Sequence, residues 1–214
     1  MIKTSKEVAQ KLLQINAIKL SPKNPFTWAS GLRSPIYCDN RMILSHPAIR
    51  NFVGEQLKSC STNFSSFDHI SGVATAGIAH GLILADRLDL PFSYVRSKAK
   101  AHGRQNLIEG SIEEGSKVLL VEDLISTGGS ALQAVEAVRA LGVEVVGVLA
   151  IFTYEFEKAK NAFADAKCPL FTLSNYSTLL ETALEIEFIP EDDFLTLKKW
   201  NSDPEKWSTA FQVN

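Results

Sequence analysis

Glu122 and Asp123 stand side by side after a short apolar run, Val118 to Val121. Leu124 and Ile125 follow them, and then a turn of hydroxyls and glycines, Ser126-Thr127-Gly128-Gly129-Ser130. Successive backbone N–H groups in such a turn, with a helix N-terminus behind them, make a site for a phosphate. Two carboxylates next to that site would repel an anion unless they served another part of the same ligand, and a neighbouring diol is such a part. A sugar phosphate satisfies both demands. The plainer alternative is an ordinary strand-to-helix turn with solvated acids. A Walker B reading of the acidic strand end would need a Gly-x-x-x-x-Gly-Lys-Ser/Thr loop, which the chain lacks, and there is no Gly-x-Gly-x-x-Gly fingerprint.

A second anion-binding segment lies upstream. Arg96, Lys98, Lys100, His102 and Arg104 fall on alternate residues, so in an extended chain all five cations point the same way. A polar-out edge strand is the structural alternative. Gly103, Gly110 and Gly115 follow with few large apolar groups, which predicts a mobile loop able to close over a multiply charged leaving group and exclude water. The isolated histidines carry less: His46 and His69 are read as caps or surface residues, and His80 as structural.

The elements that must position these groups read as an α/β fold. Strands are predicted at 70–74, 92–96, 117–123, 143–152 and 170–173, with helices at 78–88, 131–141 and 155–164 between them. This alternation implies a parallel sheet covered by helices. Ligands of such sheets bind at the carboxyl ends of the strands. The segments Thr75-Ala76-Gly77, Arg96 to Gly110 and Glu122 to Ser130 would then gather on one edge. Upstream, Val8, Leu12, Ile15 and Ile18 predict a helix after a Ser5 cap that stops near Ser21-Pro22. The segment 26–40 reads as a hairpin or hood with exposed polar groups. Ser45 and Pro47 open a second helix whose buried face is Ile49, Phe52, Val53 and Leu57. From Ser177 the tail looks helical, and its acids read as a solvated face. No linker or repeat divides the chain, so a single domain is expected: a hood at about 1–45, a core at about 46–175 and a helical tail at about 176–214.

Composition narrows the function classes. The 214 residues suffice for a stable core, and 45% hydrophobic with 21% charged residues is ordinary for a globular protein. A formal net charge of −2 argues against a general nucleic-acid or membrane-surface binder. Cys38, Cys60 and Cys168 show no Cys-x-x-Cys pair, which suggests free thiols and a reducing cytoplasm. Residues 1–20 lack a signal-peptide core, and the longest apolar run, Val145 to Phe152, is too short to span a bilayer.

Three stretches together carry a family resemblance: Phe-Thr-Trp-Ala-Ser-Gly-Leu-Arg-Ser-Pro-Ile-Tyr-Cys-Asp-Asn-Arg at 26–41, Tyr-Val-Arg-Ser-Lys-Ala-Lys-Ala-His-Gly at 94–103, and Val-Glu-Asp-Leu-Ile-Ser-Thr-Gly-Gly-Ser at 121–130. The third resembles the signature of type I phosphoribosyltransferases, and the set resembles orotate phosphoribosyltransferase. The resemblance implies that fold, with a small N-terminal hood, and transfer of ribose 5-phosphate from 5-phosphoribosyl 1-diphosphate to orotate, with Mg2+ held mainly through substrate oxygens. It implies diphosphate binding by Arg96, Lys100 and His102, with Thr75, Ala76 and Gly77 as the pyrophosphate loop. Glu122 and Asp123 would hold the ribose hydroxyls, and the segment Glu122, Asp123, Leu124, Ile125, Ser126, Thr127, Gly128, Gly129 and Ser130 the ribose 5-phosphate end. Ser126 would also touch orotate, with Ser30, Gly31 and Arg33 of the hood as further candidates. Lys100, His102 and Asp123 would be the catalytic groups. A homodimer is implied, with the loop carrying Lys100 and His102 reaching the partner's site. Ala29, Ser97 and Tyr154 stand where some members carry cations. A phosphoribosyltransferase for another base is the nearest rival, opposed by the 26–41 motif. A non-catalytic RNA-binding regulator is the other, and it should show a basic face that the net charge does not suggest.

Overall fold

A computed structural model of the protein describes residues 2–28, 30–97 and 107–212. Two compact units emerge, one made of 1–46 with 174–214 and the other of 47–173.

The second unit carries most of a six-stranded sheet. Its strands are β5 (His69–Val73), β6 (Phe92–Val95), β7 (Ile108–Glu109), β8 (Lys117–Ile125), β9 (Glu144–Thr153) and β10 (Leu170–Asn175), in the order β10-β9-β8-β5-β6-β7. The pairs β5–β6, β5–β8 and β8–β9 are parallel, as the strand-helix alternation predicts, and β6–β7 is antiparallel. The unit's helices are α2 (Pro47–Ser61), α3 (Ala76–Leu88), α4 (Gly129–Arg139) and α5 (Glu157–Asp165). Val118, Leu120 and Val148 share one core with Val135 and Val138 of α4 and Phe163 of α5. On β5, α3 approaches through glycine: a Cβ at Gly72 would come 2.8 Å from the Ile78 Cα. Gly77 is tighter still, since a Cβ there would collide with the Val121 carbonyl oxygen and lie 3.2 Å from the Glu122 Cα. The start of α3 is therefore pressed directly against the backbone that carries the acidic pair.

The first unit interleaves the two ends of the chain. Its elements are α1 (Ile2–Gln14), β1 (Ile18–Leu20), β2 (Phe26–Thr27), β3 (Arg33–Ser34), β4 (Ile36–Cys38), a 3-10 helix (Asn40–Ser45), α6 (Tyr176–Glu185), α7 (Glu191–Ser202) and α8 (Pro204–Gln212). β2 and β3 form an antiparallel hairpin, and β1 pairs antiparallel with β4. Trp28 packs edge-on against Trp200 at 5.8 Å between ring centroids, and the Arg33 N–H donates to Ser208 Oγ at 2.9 Å. The C-terminal helices and the N-terminal hairpin thus share one core.

Several local expectations are corrected. Ser5 does not cap α1; it lies within the helix, where its hydroxyl donates to Ser174 Oγ at 3.3 Å. Ile18 belongs to β1, because the chain turns at Asn16 with φ +55° and ends the helix early. Phe52 is half-buried, although Ile49, Val53 and Leu57 are buried as expected. His69 is neither a cap nor a surface residue: it is inside β5, 2% exposed, with Nε2 2.9 Å from Ser93 Oγ, which donates on to Ser71. His80 is buried in α3. Among the described residues no helix is long and apolar enough to cross a membrane.

Candidate active site

The parallel register decides which groups meet. Val73 pairs with Val95 and Gly72 with Val121, so the carboxyl ends of β5, β6 and β8 lie side by side. Thr75, Arg96 and the segment after Glu122 therefore share one edge of the sheet, where α/β folds bind ligands. Lys100 and His102 lie outside the described residues, as do Lys98 and Arg104, and so does Ala29 in the other unit.

At the β5 end the expected Thr75-Ala76-Gly77 turn is shorter than the sequence suggests. Ala76 and Gly77 already form the first turn of α3, with Thr75 at its N-cap and the Ala74–Thr75 peptide cis. Thr75 is exposed and Gly77 buried. At the β6 end, the Arg96 N–H donates to the Leu107 carbonyl at 2.7 Å, and Nη1 donates to Glu109 Oε1 at 3.3 Å. Glu109 sits on β7, which sequence reading folded into a loop because two residues leave no periodicity to detect. It holds the Arg96 guanidinium on this edge.

Glu122 and Asp123 do not end their strand. β8 continues to Ile125, and its ladder with β9 runs on through Leu124 to Phe152 and Ile125 to Thr153. Successive side chains of a strand point to opposite faces. The two carboxylates consequently live in different surroundings: Glu122 is 6% exposed, whereas Asp123 is half-buried. Glu122 Oε1 accepts the Asp123 N–H at 2.9 Å. Burial, followed by the adjoining Asp123 charge, pushes the Glu122 carboxyl up to about 9. Asp123 is the more exposed of the two carboxylates, and burial shifts Glu122 toward its protonated form.

A carboxyl raised on folding stabilises the protein while it is protonated. That contribution is fully present below the ordinary value of 4.5 and is lost as pH rises through about 9. The ligand-free protein should therefore lose stability across that interval relative to Glu122→Gln, by up to about 1.4 kcal/mol per pH unit. Denaturant titrations of both proteins at several pH values check this. Parallel curves would contradict it.

Past Ile125 the turn opens outward. Ser126 is half-buried, Thr127, Gly129 and Ser130 are exposed, and Gly128 is buried with φ +83°. The left-handed conformation at Gly128 favours glycine. α4 begins at Gly129, and the Leu132 N–H donates to the Gly128 carbonyl at 3.0 Å. The free N–H groups of the first turn of a helix thus face the same edge as Asp123. A crevice of about 630 Å³, lined in part by Ala74, Arg96, Ser97, Gly129, Ser130 and Gln133, joins the β5, β6 and α4 ends. Leu124 and Ile125, expected in the turn, are strand residues, and Ile125 is 1% exposed.

In the other unit Ser30 and Gly31 form the exposed tip of the β2–β3 hairpin. The Gly31 N–H donates to the Trp28 carbonyl at 2.8 Å with φ +85°, so that donor closes the turn.

Residues 39–182 match the family model described as the phosphoribosyl transferase domain. Over 203 residues, 94% of the chain and 96% of the relative, the sequence is 54% identical to the orotate phosphoribosyltransferase of Bacteroides fragilis. The chain belongs to the orotate phosphoribosyltransferase family. The enzyme of that name from Cutibacterium acnes is 55% identical over 96% of both chains. The crystal structure of orotate phosphoribosyltransferase from Aeropyrum pernix superposes with a TM-score of 0.74, at 27% identity, over 86% of this chain and 99% of that one. The family-model match takes in the whole carboxyl edge described above and leaves out Ser30 and Gly31.

Proposed function

We propose that the chain transfers the ribose 5-phosphate group of 5-phosphoribosyl 1-diphosphate to N1 of orotate, releasing pyrophosphate and giving orotidine 5-monophosphate for pyrimidine synthesis. The reading is carried by the half-buried Asp123 set beside the Ser126 to Ser130 turn at the head of α4, in a chain that is 54% identical over 203 residues to a relative named for this reaction.

The chemistry needs no side-chain nucleophile. As the bond from C1 to pyrophosphate breaks, positive charge grows on the ribose ring and the electron pair leaves with the diphosphate, so catalysis is mostly electrostatic. In this reading the backbone of Ser126, Thr127, Gly128, Gly129 and Ser130 holds the 5-phosphate. Asp123 accepts hydrogen bonds from the ribose hydroxyls and offsets charge on the ring, while Glu122 fixes the Asp123 backbone through its N–H. Arg96, Lys100 and His102 neutralise the leaving diphosphate, and the backbone of Thr75, Ala76 and Gly77 flanks it. Ser126 also reaches the base. Ser30 and Gly31 are the hairpin candidates for orotate, with Ser30 the better of the two because the Gly31 N–H is engaged within its turn.

Among the described residues no group of three or more His, Cys, Asp or Glu side chains converges. Magnesium fits here as an ion held mainly by diphosphate and ribose oxygens, with Asp123 the candidate carboxylate, and when bound it would neutralise charge on the leaving group. We also place the protein in the cytoplasm as a homodimer with shared active sites. The free thiols of Cys38, Cys60 and Cys168 support the compartment, and the family resemblance supports the dimer.

A base panel tests the reading. With magnesium and 5-phosphoribosyl 1-diphosphate, orotate should be consumed while adenine, guanine, hypoxanthine and uracil are not. Consumption of a purine in preference to orotate would overturn it. Ser126→Ala should raise the orotate KM several-fold, because the substitution removes a hydroxyl and keeps the turn's backbone, at a cost of about 1 kcal/mol. Unchanged orotate saturation would remove Ser126 from the base site.

A further inference from the structure

Gly128 is the buried residue of an otherwise open turn, and what buries it is α5. On the side where an L residue would carry its Cβ lies the ring of Phe163: a Cβ there would come 2.9 Å from Cε2 and 3.3 Å from Cδ2, with the Ala159 Cα at 3.8 Å. Ala159 and Phe163 are 2% and 4% exposed, one helical turn apart on the same face of α5. The end of α5 that carries the ring is itself held. The Cys168 N–H donates to the Phe163 carbonyl at 3.0 Å, and Arg139 Nη1, at the far end of α4, donates to the Ala166 carbonyl at 3.0 Å. The Tyr154 N–H donates to the Ile125 carbonyl at 3.0 Å, which ties the chain leading into α5 to the last residue of β8. Gly128 thus rests on an aromatic edge carried by a segment that is tied to the strand before the turn and to the helix after it.

We propose that Phe163 is a positioning residue for the 5-phosphate end of the ligand. It touches no substrate. It supports Gly128, whose peptide both closes the phosphate turn and supplies the first hydrogen-bond acceptor of α4, so it sets the height of the turn's N–H groups relative to Asp123. This rests on the reading that the turn holds the 5-phosphate. Hydrogen bonds to a charged oxygen weaken as the donor leaves its preferred distance and angle, and closely packed interiors transmit the loss of a supporting group.

Ribose 5-phosphate and pyrophosphate separate the two ends of the site, because only the first carries the 5-phosphate. Their affinities are measured by calorimetry with magnesium present for the wild type, Phe163→Leu and Phe163→Met, two variants that keep the core apolar while removing the ring edge. Val138→Ala is the control: Val138 is fully buried in the same core but lies roughly 15 Å further along α4. Both Phe163 variants should bind ribose 5-phosphate about tenfold more weakly, the scale of weakening one hydrogen bond to a charged group, and keep wild-type affinity for pyrophosphate, while Val138→Ala changes neither. Unchanged ribose 5-phosphate affinity in the folded variants, equal weakening of both ligands, or the same loss in Val138→Ala would overturn the assignment to Phe163. Failure of the wild type to bind ribose 5-phosphate would overturn this inference together with the reading beneath it.

Discussion

Asp123→Asn is expected to leave the protein folded and to lower the rate of orotidine 5-monophosphate formation by about 100-fold or more. Asp123 is half-buried at the carboxyl edge of the sheet, and its backbone N–H donates to Glu122 Oε1. An amide in its place accepts fewer hydrogen bonds from the ribose hydroxyls and brings no negative charge toward the developing cation. Glu122 is the poorer source of that charge, since it is 6% exposed and burial pushes its carboxyl upward. Circular dichroism and a denaturant midpoint establish that the variant is folded, and turnover at saturating substrates is compared with the wild type. Wild-type turnover in the folded variant would remove Asp123 from the machinery.

The second large effect concerns subunits. If the Arg96 to Gly110 loop serves the partner's site, Lys100→Ala and Asp123→Asn homodimers are each poorly active, because every site contains one defect. After random reassortment about half the dimers are mixed, and each mixed dimer has one site with both defects and one with none. Activity should then rise to about a quarter of the wild-type level, far above either parent. A loop acting within its own subunit gives no such rescue. The two purified variants are mixed under conditions shown to exchange subunits, and product formation is followed. Activity no higher than the mean of the parents, with exchange confirmed, rejects the shared site.

The strand-turn-helix at the centre was legible because each part has a local signal: a four-residue apolar run, hydroxyls with two glycines, and then apolar residues at helical spacing. The alternation of strands and helices from residue 69 onward was legible for the same reason. The inequality of Glu122 and Asp123 was not. It arises because β8 continues through Leu124 and Ile125, and whether a strand stops at an acidic pair depends on the β9 partner that continues beside it. Glu109 was missed because β7 exists only through pairing with β6. The partnership of Trp28 with Trp200 joins residues 172 positions apart, and no periodicity reports such a contact. Phe163 carries no signal of its own in the sequence, and only the missing Cβ at Gly128 reveals what it supports.

The central claim is a transfer to orotate with loss of pyrophosphate, and mass balance tests it most directly. Purified wild-type protein is incubated with magnesium, orotate and 5-phosphoribosyl 1-diphosphate, and orotidine 5-monophosphate and pyrophosphate are both quantified over time. The two products should appear in equal amounts, neither should form when orotate is left out, and excess pyrophosphate added to orotidine 5-monophosphate should regenerate orotate. Pyrophosphate released without orotidine 5-monophosphate, or no consumption of orotate by folded protein, would contradict the account.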